Sequence, residues 1–508
     1  MRPDTNGSQP NVLERLLTMK RILASLVTAV VVTAAGCKLD LTNPNSPTPA
    51  GAKANPRAGS SRMVVGVMAT YRVNRTDQIR ALGSFGRETY YMFITDGRFI
   101  TGPLRDWRQN NAFDVGTQWA GRYGNYRNAY AALQFIDSVP TTTVRGLPTA
   151  LLAEEKEGAR GVLQTFIALD LLHAIEARGS IGAVVDMSPD PIAIHPIVSE
   201  DSVYKWISAE LDSALVHLTA DTMSAFYFPM YTGFSSGLAT SAATPTGFRQ
   251  FNRAIKARVE TKRGSLGCGA PCYTTALTAL TGTWIAAPTA GNLSAGVYSV
   301  YASAAGDFSN NASLAGSLGS DLFVHPSIDS LPGVTADSRY IRKLAVATCG
   351  QPNDPRSEAG VASDHQPCTY TSTTTPIPII RNEELVLLRA EAEWFTTQTA
   401  AANTDLAAVR TASGGATPSV RHPTPAVDSE FVSELLLQRT LSLYQEGQRW
   451  VDHRRFNRLA DLGGLPQDVS GGFTVAKVIP LPNQECDSRA RAGNPGGIPL
   501  SCPGNPIP

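Results

Sequence analysis

Trp119, Tyr123, Tyr126 and Tyr130 follow one another at three- and four-residue steps, and Ala131, Leu133, Phe135 and Ile136 continue the run. Steps of that size place the rings on one face of an α-helix. A face lined by rings must be covered by another element, so this stretch dictates helix packed on helix. The same period recurs downstream. A second helix is predicted over about 150–177, where Leu163, Phe166, Ile167, Asp170 and Leu171 share much of one side and Gly179 stands at the stop. A third, over 202–218, presents Val203, Trp206, Ile207, Leu211, Leu215 and Leu218, with Ser199 or Asp201 placed to cap it. A fourth covers 251–262 and closes at Gly264. Helix returns over 381–395, 404–410 and 429–456.

The segment 265–376 reads differently. It is rich in Gly, Ser, Thr and Asn and has few periodic runs, so irregular connections are expected there, with short strands over 298–303 and 342–349. The expected fold is therefore all-α, mostly helical. Its helix pairs set bulky aromatics against Ala and Gly in tetratricopeptide-like stacking, around a loop-rich insertion carrying short strands. No 34-residue period stands out, so the repeats are degenerate.

The N-terminal region has its own logic. From Met19 the chain reads MKRILASLVTAVVVTAAGC: a basic start, an apolar run from Ile22 to Val32, then small residues ending on Cys37. The run is too short to span a bilayer, and it reads as the apolar region of a secretory signal. Small residues ending on Cys resemble a bacterial lipobox, with Ala34 where Leu is usual, so Cys37 is the expected site of lipid attachment. The expected organisation follows. Residues 1–18 precede the true start, 19–36 are a lipoprotein signal, and 37–60 form a flexible tether too poor in apolar residues to fold. The helical domain is 61–485 and a Pro- and Gly-rich tail occupies 486–508.

Composition excludes several classes. With 44 basic and 43 acidic residues the net charge is +1, which gives no electrostatic reason to bind nucleic acid. Six cysteines besides Cys37 fall as three local pairs: Cys268 with Cys272, Cys349 with Cys368, and Cys486 with Cys502. An exported chain favours disulfides, although six cysteines allow fifteen pairings. Cys268 and Cys272 have zinc-ligand spacing but no second CxxC or HxxxH partner, so no metal is expected, and no cofactor. No HExxH, phosphate loop or GxGxxG is present, and the glutamates at 383, 384, 391 and 393 share one helix rather than flank a cleft. No enzyme is expected.

Near the C-terminus the residues become specific. Glu446, Gly447, Arg449, Trp450, Asp452, Arg454 and Arg455 form an EG-x-RW-x-D-x-RR run. It resembles the SusD/RagB family of outer-membrane lipoproteins, and PIIRNEELVLLRAEA (378–392), DLAAVR (405–410) and VIPLPNQE (478–485) are similar to the family's segments in the same order. Gln438 and Ser442 stand where the family commonly has Glu. The charged run itself reads as a structural network on one helix. The resemblance implies a protein held by its lipid at the cell outer membrane, facing the exterior. It would capture a glycan, or a peptide, for a SusC-like TonB-dependent barrel. The alternative is a helical-repeat envelope lipoprotein that scaffolds other proteins and binds no nutrient. A capture site needs aromatics in loops beside hydrogen-bonding groups. Two segments offer them, so the expected site joins Trp107, Arg105 and Asp106 to Tyr227, Phe228 and Tyr231.

Overall fold

The computed structural model describes residues 49–111, 118–190, 192–349 and 355–507. Cys37, the signal and the first part of the tether lie outside them. The chain divides into a unit ending at Ala54, in which the helix Pro49–Ala54 is described, and a unit from Asn55 to Pro508.

The second unit begins earlier than the tether expectation allowed. Asn55 accepts the Ala58 N–H at 3.0 Å and caps α1, Pro56–Phe85, so that Ser60 is already fully buried. The aromatic stripe forms α2, Ala120–Ser138. Then come α3, Ala153–Arg178, stopped by Gly179 at φ 50°, and α4, Glu200–Ala220, capped by Ser199. Next is α5, Pro245–Arg263, which starts ahead of the predicted 251 because Thr244 caps it and Pro245 fits its first turn. Each of these packs on its neighbour in the chain, and α1 lies against α2 and α3. The approach is close where side chains are absent. A Cβ on Gly161 of α3 would stand 2.4 Å from Leu218 Cγ of α4. The fold is the helical, tetratricopeptide-like one that the periodicity implies.

The segment 265–376 departs in part from its expected irregularity. It holds a further helix, α6, Ala270–Thr281, packed against α5. Residues 342–349, expected as a strand, end one short helix and form another, Ser338–Lys343 and Val346–Cys349. The reason is tertiary: Lys343 reaches the Leu441 and Ser442 carbonyls at 3.0 and 2.7 Å, at the end of a distant helix. Short strands do form. β1 (Thr89–Tyr91) pairs antiparallel with β3 (Leu322–Val324), β2 (Gly296–Ser299) with β6 (Ile377–Arg381), and β4 (Arg356–Glu358) with β5 (Val361–Ser363).

After β6 the chain returns to helix with α7, Asn382–Trp394, and α8, Thr399–Gly414. The single helix expected over 429–456 is two: α9, Asp428–Ser442, and α10, Arg449–Arg455. Between them Gln445 and Gly447 take φ of 59° and 74°. The carbonyls freed by this break are used by other elements: Arg75 donates to Glu446 O at 2.9 Å and Tyr370 to Gln445 O at 3.0 Å. The tail is not wholly irregular either, since Asn483–Arg491 forms α11. Three disulfides join Cys268 to Cys272, Cys349 to Cys368 and Cys486 to Cys502.

The charged run on α10 is buried, and its partners are mostly on other helices. Arg455 pairs with Glu391 of α7 at 2.7 Å and with Asp452 at 2.9 Å, and Asp452 also accepts from Arg439 of α9 at 2.7 Å. Arg258 of α5 grips Glu384 at 2.6 and 2.7 Å, Lys262 meets Glu176 of α3, and Arg381 meets Glu446 at 2.6 Å. Burial would raise the Asp452 carboxyl, but Arg439, Arg455 and Lys262 overcome it and hold it at about 2. Trp450 closes this region, with no exposure and its indole N–H on Ala476 O at 2.7 Å. Where the family commonly has Glu, Gln438 bonds Ser419 O and Glu434, and Ser442 accepts from Arg339.

Candidate functional site

The structure does not bring the two expected aromatic segments together. Trp107 is 1 % exposed and donates its indole N–H to Thr474 Oγ1 at 2.9 Å. Thr474 O in turn accepts from Arg87, just beyond the C-terminal end of α1. Tyr227 donates to Ser60 Oγ at 3.0 Å, in the first turns of the same helix. At 1.5 Å per residue, Ser60 and Phe85 stand roughly 38 Å apart along α1. One shallow site cannot hold both.

Each segment has a structural use instead. Phe228 is buried and stacks with Phe226 at 4.9 Å, and Phe226 meets the edge of Phe248 on α5. Tyr227 lies under Arg57 and Tyr231 under Arg72, with the guanidinium carbons 5.3 and 4.2 Å from the ring centres. This loop therefore plugs α1 to α5 by apolar and cation–π contact. Arg105 and Asp106 pair with each other at 3.0 and 3.1 Å, which occupies the polar ends assigned to a ligand. Trp107 and Phe228 cannot offer a face to a ligand from these positions, and the expected site is corrected accordingly.

The best-furnished cleft lies elsewhere. It has a volume of about 290 Å³ and is bounded by the start of α2, the extended stretches at 184–187 and 193–195, and α11. Trp119 and Tyr123, one turn apart, form its wall with ring centres 4.5 Å apart. Tyr123 is fixed twice over by Val184: its hydroxyl donates to Val184 O at 3.0 Å and accepts the Val184 N–H at 2.7 Å. Burial pushes the Tyr123 hydroxyl well above its usual range, so it is neutral and available as a dipole. Gly124 leaves the helix surface open there, since a Cβ would meet nothing within 4 Å.

The polar residues converge from four stretches of chain. Arg489 of α11 donates to Glu485 at 2.8 Å and to His195 O at 2.8 Å, which ties α11 to the loop. The Cys486–Cys502 bond holds that helix to the tail. The His195 Nε2 is buried with no partner among the described residues. Arg127 and Asp186 line the same cleft, and neither has a hydrogen bond among the described residues. Ring surface, a free guanidinium, a carboxylate and an imidazole together suit a hydroxyl-rich or carboxyl-bearing solute.

A second aromatic group is linked to Trp119 through its neighbour Gln118. Gln118 next to Trp119 donates to Asp77 at 2.9 Å, Asp77 pairs with Arg80 at 2.6 Å, and Arg80 lies over Tyr91 and Phe99. Phe93 and Phe99 are half-buried, and Ile94 beside them is 66 % exposed. Sequence periodicity assigned Trp119 and Tyr123 to a packed helix face. Their spacing with Arg127, at i, i+4 and i+8, was the available signal for a mixed aromatic and cationic face.

Residues 352–487 match the model of the SusD family. Solved structures agree over nearly the whole fold. B. fragilis NanU shares 15 % identity, with 89 % of this chain and 99 % of that one covered at a TM-score of 0.59. A laminarin-binding SusD-like protein shares 16 %, with 88 % and 99 % covered at 0.56. A SusD superfamily protein from Bacteroides vulgatus shares 12 %, with 85 % and 97 % covered at 0.60. No curated protein matches. The chain thus shares the fold of these structures, and its segment 352–487 is similar to the SusD family.

Proposed function

We propose that this protein is a surface lipoprotein of the outer membrane that captures a glycan and passes it to a SusC-like TonB-dependent transporter. The observation that carries the reading is the cleft at half-buried Tyr123, backed by the buried Trp119, where the Arg127 and Asp186 side chains have no hydrogen bond among the described residues, on a fold shared with SusD-like structures. A sugar offers C–H faces to aromatic rings and hydroxyls to charged groups, so such a wall suits an oligosaccharide. That one structural neighbour is a laminarin-binding SusD-like protein supports a carbohydrate over a peptide. No helix among the described residues is long and apolar enough to cross a membrane, so attachment through a lipid on Cys37 is the membrane contact proposed here.

The test is calorimetry on the full chain with three probes: laminarin oligosaccharides, an unrelated neutral oligosaccharide and a tryptic peptide mixture. Saturable binding of either sugar, lost in the Arg127→Ala/Asp186→Ala double variant, is expected. Binding of peptides alone would move the ligand class. Co-purification of a large barrel and palmitate labelling that disappears in Cys37→Ala are expected from membranes. No ligand and no barrel would leave the scaffold reading in possession.

A further inference from the structure

Asp329, Asp364 and His365 bring one carboxylate oxygen each and a ring nitrogen within 4.8 Å of one another, on a part of the fold that shares no residue with the cleft. We propose that they form a site for a single zinc-class divalent cation, with His365 Nε2 and the Asp329 carboxylate as direct ligands and Asp364 as the group that orients the imidazole.

The argument rests on the placement of one ring. His365 Nδ1 lies 2.6 Å from Asp364 Oδ1, so the ring proton sits on Nδ1 and is donated to that carboxylate. The Nε2 lone pair then points the other way, where Asp329 Oδ1 stands 3.6 Å off. That distance is too long for a hydrogen bond. His365 is 5 % exposed and its Nε2 is buried with no partner among the described residues. In that tautomer a buried ring nitrogen and a half-exposed carboxylate oxygen face each other as acceptors, and a cation between them would satisfy both. Ligands held at about 2.0–2.1 Å in tetrahedral array are about 3.4 Å apart, close to the gap observed here. Histidine whose second nitrogen bonds a carboxylate is the usual setting of a metal-bound imidazole, and imidazole with carboxylate suits zinc better than magnesium or calcium.

The three residues are held before any ion arrives. His365 O accepts the Val324 N–H at 2.9 Å, and Ser363 Oγ donates to Val324 O at 2.6 Å, which pins this stretch to β3. Tyr340 donates to Asp329 Oδ1 at 2.8 Å, which holds that carboxylate in place. The Cys349–Cys368 bond closes the loop just past His365. Asp364 and Asp329 have side chains 65 % and 31 % exposed, so water has access to complete the coordination.

Equilibrium dialysis of the metal-stripped full chain against Zn²⁺, with Co²⁺ absorption as the spectroscopic probe, tests this. One equivalent is expected, with visible Co²⁺ bands of a low-coordinate nitrogen and oxygen site. Asp329→Asn and His365→Ala are each expected to abolish that equivalent, and Asp364→Asn to weaken it by about 10- to 100-fold. Asp364 is exposed, so its variant keeps the test open even if His365→Ala fails to fold. No stoichiometric binding, or one equivalent retained in both Asp329→Asn and Asp364→Asn, would overturn the site.

Discussion

The indole N–H of Trp107 donates to the Thr474 hydroxyl at 2.9 Å, while Thr474 N–H bonds back to Leu104 O at 2.7 Å. Two segments 367 residues apart are thus clamped around one buried ring. Trp107 belongs to the core, whatever its polar neighbours in sequence suggest.

Trp107→Ala should therefore destabilise the protein by about 3–5 kcal/mol, the usual range for losing a buried large aromatic. Urea unfolding would measure it. A loss below about 1 kcal/mol would show the ring to be dispensable to packing and would reopen its claim as a binding residue.

The cleft makes the opposite prediction. Arg127 and Asp186 hold no hydrogen bond among the described residues, so Arg127→Ala should leave the melting temperature nearly unchanged. If the guanidinium bonds a bound sugar, ligand affinity should fall by about 10-fold or more, from a charge-assisted bond worth about 1.5–3 kcal/mol. Unaltered affinity in a folded variant would place the sugar elsewhere.

Glu88 sets a dependence on pH. Burial raises its carboxyl to about 8, with Arg449 opposing the rise and Glu446 adding to it. The folded state then holds a proton that the unfolded chain releases near pH 4. Stability should fall as pH rises from there towards 8, with a slope of at most about 1.4 kcal/mol per unit. In Glu88→Gln that slope should flatten. Denaturant midpoints at pH 5, 6.5 and 8 would check it, and parallel curves for the two proteins would count against a proton held on Glu88.

Opening Cys486–Cys502 should cost about 3 kcal/mol for a loop of this size, with a sequence separation of 16. The same bond positions α11, which carries Glu485 and Arg489 into the cleft. Cys486→Ser/Cys502→Ser should therefore weaken ligand binding more than its loss of stability accounts for. Equal affinity at a temperature where both proteins are folded would separate α11 from the site.

Much of the architecture was legible in the chain because local physics sets it. Ring spacing from Trp119 placed α2, Ser199 and Gly179 marked the ends of α4 and α3, and the short separation within each cysteine pair matched the three disulfides formed. What local rules missed was decided by distant partners. The helix expected over 429–456 broke because Arg75 and Tyr370, far away in sequence, satisfy the carbonyls that the break releases. A strand over 342–349 gave way to helix because Lys343 caps the end of α9. The site was hidden for the same reason. Aromatics among Gly, Pro and charged residues look exposed along the chain, yet α1 separates Trp107 from Tyr227 and buries the first. The cleft of Trp119, Arg127, Asp186, His195 and Arg489 exists because four stretches of chain meet there. Periodicity reports which face of a helix is covered, and only the packed structure reports which edge of that face is left open.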